Sequence, residues 1–233
     1  MKLSIVVPCY NEAQNIPLIL ERFQSAIRRN DIEVILVDNN SVDGSDKVLA
    51  ELVPRYAFAR SLSEPSPGYG HAVVAGLKIA HGEYIGWTHA DMQTDPKDPI
   101  RALGMIENLG NPTNIYLKGR RLSRPWLDTI LTWGMSVFET LYLGRVLFDI
   151  NAQPNIFHKN FFAAWQNPPG DFALDLYALY LAKKVGIHII RFDVTFLKRV
   201  YGESSWNKGL ASRWKFIKRT IKFSVGLKRR LAL

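Results

Sequence analysis

The segment Trp87-Thr88-His89-Ala90-Asp91-Met92-Gln93-Thr94-Asp95-Pro96 holds the residues best suited to chemistry. It follows Glu83-Tyr84-Ile85-Gly86, a short apolar run of strand character. His89 stands two positions before Asp91, so on an extended strand both side chains leave the same face. A carboxylate with an imidazole beside it could hold a hard divalent cation against a diphosphate. The alternative is a polar strand end that only starts a turn, because Asp95-Pro96 is turn chemistry. An α/β sheet binds its ligands at the carboxyl ends of its strands. The elements around the segment therefore decide between the two.

Those elements alternate. Leu3 to Val7 and Glu33 to Val37 read as buried strands, and Ala57 to Leu62 as a third. Ala13 to Arg29 carries helical apolar spacing through Ile16, Leu20, Phe23 and Ile27. A second helix opens at Asp43-Gly44-Ser45 with Asp43 or Ser45 as its cap, and a third runs from His71 to Ala80. The fourth strand leads into the Asp91 segment. Strand and helix alternating four times in the first hundred residues predict an α/β fold with a mostly parallel central sheet. Further on, the pattern predicts a helix over Pro99–Leu109, strand character at Asn114–Lys118, and a helix over Phe172–Val185 capped by Asp171. Strands are expected at Ile187–Phe192 and Thr195–Val200.

The chain has 233 residues and 47% hydrophobic content, enough for one sizeable globular core. Cys9 is the single cysteine, which excludes an internal disulfide framework and predicts a reducing compartment. Pro8 interrupts the first apolar run too early for a signal peptide, and no apolar run reaches the length of a membrane span. The net charge of +9 is concentrated: Ala211 to Leu233 holds eight Lys or Arg and no acid. The remainder is nearly neutral, which argues against nucleic acid as a partner.

Several stretches together resemble the family 2 glycosyltransferases, nearest to the branch that includes dolichol-phosphate mannose synthase and polyprenyl-phosphate sugar transferases. They are Val6-Val7-Pro8-Cys9-Tyr10-Asn11-Glu12, Leu36-Val37-Asp38-Asn39-Asn40-Ser41-Val42-Asp43-Gly44-Ser45, Gly68-Tyr69-Gly70-His71-Ala72 and His89-Ala90-Asp91-Met92-Gln93-Thr94-Asp95-Pro96. Gly119-Arg120-Arg121, Asp149 and Arg199-Val200-Tyr201-Gly202-Glu203-Ser204 follow in the expected order. The resemblance implies a GT-A fold, a nucleotide-diphosphate sugar as donor (UDP- or GDP-linked) and inversion at the anomeric carbon. By the same resemblance Pro8, Tyr10 and Glu12 line the nucleotide site and Asp38 faces the base or ribose. Asp91, with His89, holds Mg²⁺ or Mn²⁺. Gln93 neighbours the donor or acceptor, Arg199 meets the charge of the leaving diphosphate, and Arg121 grips a lipid phosphate. Asp175 sits where relatives that use a hydroxyl acceptor carry their general base; an exposed helix-face acid is the other reading.

The chain departs from that pattern at particular places. His89 replaces the first acid of the metal triplet, and Asn39 replaces a common second aspartate. Asp128 and Thr132 stand where a second phosphate-binding arginine and a serine are usual, and Arg124 could substitute for the missing charge.

On a helical wheel Leu210, Trp214, Ile217, Ile221 and Val225 share one side, extended by Phe216, Phe223, Leu227 and Leu231. Lys215, Lys218, Arg219, Lys222, Arg229 and Arg230 lie opposite. This is the pattern of an interfacial helix on an anionic membrane surface. A surface helix packed on the core is the alternative. The aromatic stretch Pro125 to Phe148 is either a second membrane-facing element or core. The organisation expected is a glycosyltransferase domain at 1–209 with a basic amphipathic helix at 210–233, peripheral on the cytoplasmic face of a membrane. The acceptor expected is lipid-linked, with polyprenyl phosphate first. The rivals are a saccharide hydroxyl acceptor and a non-catalytic nucleotide-sugar-binding subunit.

Overall fold

The structure, a computed structural model, describes residues 1–122, 126–195, 197, 200–201 and 210–231, with the side chains of all but 126–132, 210–213, 215–216 and 230–231. Its strands are β1 (Leu3–Cys9), β2 (Ile32–Asp38), β3 (Ala59–Ser63), β4 (Tyr84–Trp87), β5 (Ile115–Leu122), β6 (Asn155–His158) and β7 (His188–Thr195). The helices are α1 (Asn15–Ala26), α2 (Ser45–Leu52), α3 (Tyr69–Lys78), α4 (Lys97–Asn108), α5 (Trp126–Leu143), α6 (Lys159–Ala163), α7 (Leu174–Lys184) and α8 (Leu210–Leu231).

The strands form one sheet in the order β3-β2-β1-β4-β6-β5-β7. β6 alone runs against its neighbours β4 and β5. The predicted mostly parallel sheet is therefore present, and the carboxyl ends of the parallel strands share one edge. Alternation along β1 sends Ile5 and Val7 to one face and Val6 to the other. The first face packs against Ile16, Ile19, Leu20 and Phe23 of α1 and Ala102, Leu103 and Ile106 of α4. The second packs against Ala72, Val73 and Leu77 of α3 and against α7. On that second face Gly76 lets α3 approach the sheet, since a Cβ there would meet the Val6 side chain at 2.5 Å.

The differences from the sequence reading have local causes. β6 was not expected, because four buried residues, Asn-Ile-Phe-His, carry no periodicity long enough to read. The strand expected at Ile187–Phe192 is β7, which runs on to Thr195; of the strand expected at Thr195–Val200, residues 196, 198 and 199 lie outside those described. Neither expected side-chain cap forms. Gly44, at φ +88°, takes the N-cap position of α2, while the Asp43 carboxylate accepts from the Ser45 N–H and hydroxyl. Asp171 likewise accepts from the Ala173 N–H at 2.9 Å, ahead of α7, whose N-cap position is taken by Ala173.

α8 spans the predicted basic segment, but its apolar side is partly used within the molecule. Ser224 and Leu227 are buried, and the Ser224 hydroxyl meets both carboxylate oxygens of Glu139 on α5 at 2.7 Å. Lys228 donates to the Tyr142 carbonyl at 2.9 Å. Glu139 is wholly buried, and burial pushes its carboxyl up to about 7. Its folded-state proton is held more tightly than in the unfolded chain, so stability falls as pH rises from about 4.5 to about 7, by up to about 3 kcal/mol. Glu139→Gln should flatten that part of the pH–stability curve measured by denaturant unfolding, and an unchanged slope would remove Glu139 as its source.

Candidate active site

Two loops close over the ends of β1 and β2. The register sets Cys9 beside Asp38, and the Asn39 N–H donates to the Cys9 carbonyl at 2.8 Å. Asn11 N–H donates to Ser41 Oγ, Val42 N–H to Asn11 Oδ1, and Ala13 N–H to the Asp43 carboxylate. Asn11 and Asn40 take left-handed backbone at φ 55° and 59°, which asparagine tolerates. Around this cradle Pro8 is half-buried and Tyr10 exposed. Glu12 accepts from Asn15 Nδ2 at 2.5 Å, ahead of α1. Asp38 is buried at the strand end, and its Oδ1 has no hydrogen-bond partner among the described residues. An orphaned buried acceptor at a strand end suits a ligand that donates an N–H or O–H.

Asn39 has a structural reason for its identity. Its amide donates to the carbonyls of Glu64 and Ser66, at 3.2 and 2.7 Å, and its Oδ1 accepts the Gly68 N–H at 2.7 Å. An aspartate could make only the last of these. The residue that departs from the family pattern fastens the loop between β3 and α3.

β4 stops at Trp87, opposite Val6, and the chain turns sharply beyond it. Thr88 and Thr94 hydroxyls meet at 2.9 Å across the base of the turn. Asp91 is 5% exposed and accepts the Gln93 N–H at 3.1 Å. Met92, buried at φ 61°, holds a conformation that side-chain-bearing residues rarely adopt, and such strain gathers at functional sites. Gln93 has a second engagement: its amide donates to the Leu197 carbonyl at 3.1 Å and its own carbonyl accepts the Leu197 N–H at 2.9 Å. The turn is thereby tied to the segment after β7 that leads to Arg199, which itself lies outside the described residues, as do Gly202 to Ser204 and Arg124. His89 is half-buried with its ring 6.2 Å from that of Tyr69.

Asp175 does not sit on an exposed helix face. It is 2% exposed, below the sheet edge, and accepts from Trp87 Nε1 at 3.3 Å and Asn155 Nδ2 at 3.1 Å, with the Tyr69 hydroxyl nearby. Burial pushes its carboxyl up, opposed by Lys118, His89 and these hydrogen bonds. Sequence reading missed Trp87, Asn155, Lys118 and Tyr69 as members of this cluster. The available signal was Lys118 itself, a cation that directly continues the apolar strand run Ile115-Tyr116-Leu117.

Arg121, at the end of β5, is committed within the protein. Its backbone N–H and Nε donate to Asp149 at 3.1 and 3.0 Å, and Nη2 also reaches that carboxylate. Burial pushes Asp149 up, yet the Arg121 charge and hydrogen bonds win and hold it below the usual carboxylate range. Arg191, unremarked in the sequence, lies alongside and donates to the Gly119 and Phe148 carbonyls. Asp128 and Thr132 fall on α5 at positions whose side chains are not described. An acceptor phosphate would meet a guanidinium already shared with a carboxylate. Arg121→Ala leaves Asp149 buried and unpaired, at a cost of about 3–5 kcal/mol, so its melting temperature should fall by roughly 6–20 °C. An arginine serving only a ligand would leave thermal unfolding of the free protein unchanged.

Among the described residues no three His, Cys, Asp or Glu side chains converge on one point. Because β4 ends at Trp87, His89 and Asp91 leave from a turn and not from one face of an extended strand as expected; a cation held there by Asp91 would complete its shell with diphosphate oxygens and water.

Comparison with known proteins agrees with this layout. Dolichol-phosphate mannosyltransferase of Pyrococcus furiosus is 26% identical over 150 residues, which cover 63% of this chain and 42% of that protein. Undecaprenyl-phosphate mannosyltransferase of Micrococcus luteus is 24% identical over 229 residues, covering 90% of this chain and 89% of the relative. The chain thus spans less than half of the first and most of the second. Glucosyl-3-phosphoglycerate synthase from Mycobacterium tuberculosis, solved with Mn²⁺ and UDP-glucose, superposes with a TM-score of 0.70 at 18% identity, over 97% of this chain and 79% of the other. The architecture is that of the GT-A glycosyltransferases. Residues 4–155 match the model for glycosyl transferase family 2, and the chain belongs to that family.

Proposed function

We propose that this chain is an inverting glycosyltransferase that moves a sugar from a nucleotide-diphosphate donor to a lipid-linked acceptor, polyprenyl phosphate, at the cytoplasmic face of a membrane. The observation that carries the reading is the convergence of Asp38, the Asp91 turn and the Arg121 strand end on one carboxyl edge of the sheet. The similarity to a dolichol-phosphate mannosyltransferase and an undecaprenyl-phosphate mannosyltransferase supports the acceptor. The Mn²⁺ and UDP-glucose of a structural neighbour support the donor class.

In this reading Asp38, with its unpartnered Oδ1, accepts from the base or ribose, and Pro8, Tyr10 and Glu12 frame the nucleotide. Asp91 and His89 would hold Mg²⁺ or Mn²⁺, which supplies Lewis-acid charge to the diphosphate. Gln93 keeps that turn in register with the segment leading to Arg199, whose guanidinium meets the same developing charge. Arg121 orients the acceptor phosphate from the far side. A phosphate is already a nucleophile, whereas a hydroxyl needs a base within reach. Asp175 is the residue that would serve as that base, and its burial beneath the Trp87 and Asn155 donors favours an acceptor that arrives as an anion.

The membrane reading rests on two helices. Trp133, Val137 and Leu141, four residues apart on α5, form an exposed apolar stripe, with Trp133 61% and Leu141 78% exposed. Trp214 of α8 is 60% exposed, and Lys218, Lys222, Lys228 and Arg229 are exposed on the same helix. Among the described residues no helix is long and apolar enough to cross a membrane. An apolar stripe beside cations is suited to lie in the headgroup boundary. The basic helix at 210–233 would serve as a docking element attached to the domain at 1–209, with α5 sharing the contact.

Two measurements test these statements. Calorimetric titration with UDP- and GDP-sugars should show Mn²⁺-dependent binding, weakened at least tenfold by Asp91→Asn; equal affinity with and without the carboxylate would sink the metal site. The double variant Trp133→Asp, Leu141→Asp should lose sedimentation with anionic vesicles by more than tenfold, because each buried apolar side chain contributes about 1.5–3 kcal/mol. Sedimentation equal to the parent's would refute α5 as the inserted element.

A further inference from the structure

Register places Trp87 of β4 opposite Asn155 of β6, and Asn155 opposite Lys118 of β5. The three side chains thus form a row across the sheet, on the face covered by α3 and α7. All three have no exposed surface. A lysine is almost never buried this completely unless its charge is answered. Lys118 Nζ donates to the Ala152 carbonyl at 2.7 Å and to Asn155 Oδ1 at 2.6 Å.

The orientation of Asn155 follows from these partners. An ammonium only donates, so the amide oxygen must face Lys118, where it also accepts from the Tyr116 hydroxyl at 2.7 Å. The amide nitrogen is then left to donate to Asp175 at 3.1 Å. Trp87 Nε1 donates to the same carboxylate oxygen. The Tyr69 hydroxyl accepts from Gln153 Nε2 at 2.5 Å and lies close enough to Asp175 to act on its carboxylate. Tyr69 in turn stands beside the His89 ring and stacks on Phe172 at 4.7 Å.

We propose that Lys118, acting through Asn155, is a positioning residue that fixes the Asp175 carboxylate and with it the Trp87–Tyr69 wall beside His89. This rests on the reading of the sheet edge as a sugar-transfer site. Burial draws the Lys118 ammonium down to about 7, so the protein invests in keeping this group inside. A hydrophobic residue of the same length would fill the space without orienting Asn155.

The test is a double-mutant cycle on the full chain. Lys118→Met should lower kcat about tenfold or more, with the KM for donor and the calorimetric affinity for nucleoside diphosphate with Mn²⁺ within threefold of the parent. Asp175→Asn should cost a similar factor, and the double variant no more than either alone, because both act through one contact. Multiplying effects, or a Lys118→Met enzyme as fast as the parent, would overturn the proposal. A second readout is independent of turnover. In ¹⁵N-tryptophan-labelled protein the Trp87 indole resonance, assigned with Trp87→Phe, should shift in Lys118→Met and in Asn155→Ser. If Lys118→Met does not fold, the Asn155→Ser spectrum decides, and an unmoved indole refutes the positioning role. A parent chain that binds nucleoside diphosphate yet transfers no sugar would refute the functional reading instead, and the indole shift would still decide the role of Lys118.

Discussion

The parallel hydrogen bonding of β1 to β2 on one side and β4 on the other is the constraint on which the site depends. It sets Cys9 beside Asp38 and stops β4 at Trp87, opposite Val6. Because side chains alternate with a period of two, a slip of one residue in either pairing would turn the core inside out and move Asp38 off the edge. Burial of β1 and β2 on both faces makes such a slip prohibitively expensive. The ligand-facing turns inherit that precision: the loops after β1 and β2 are bonded to each other, and the turn after β4 is tied back by Thr88, Thr94 and Gln93.

The antiparallel strand β6 changes the character of the sheet. Up to β4 the row facing α3 is apolar, through Ile35, Val6 and Trp87. Beyond β4 it becomes Asn155 and Lys118, then Arg191 on β7. Desolvating such groups is costly unless every donor finds an acceptor. The acceptors come from outside the sheet: Asp175 from α7, and the carbonyl of Ala152 from the chain before β6. Arg121 and Asp149 repeat the same solution one turn nearer the surface. The acceptor side of the proposed site is therefore built from paired charges, whereas the nucleotide side is built from backbone and Asp38.

α8 shows how an amphipathic pattern can be divided. Its buried Ser224 and Leu227 dock on α5, while Trp214 is left outside beside the lysines. The apolar surface available to a membrane is consequently shared with α5, where Trp133, Val137 and Leu141 face out.

The order of strands and helices through Trp87, the loop positions of Tyr10, Asp38 and Asp91, and the basic helix at the end were legible in the sequence. Each is a local pattern: a run of apolar residues, a period of 3.6, a turn dipeptide, a charge run. Expecting strand ends to carry the ligand groups also required only local information, since any parallel sheet puts them on one edge. What the tertiary structure alone decided is pairing. No local pattern reveals that Asn155 lies between Trp87 and Lys118, that Arg121 is held by Asp149, or that Asp175 is enclosed rather than exposed, because the partners are 20 to 88 residues apart in the chain. Whether a charged group is a ligand contact, an ion-pair member or a buried strut depends on its surroundings in space. Those are set by sheet order and packing, which spacing along the chain does not encode.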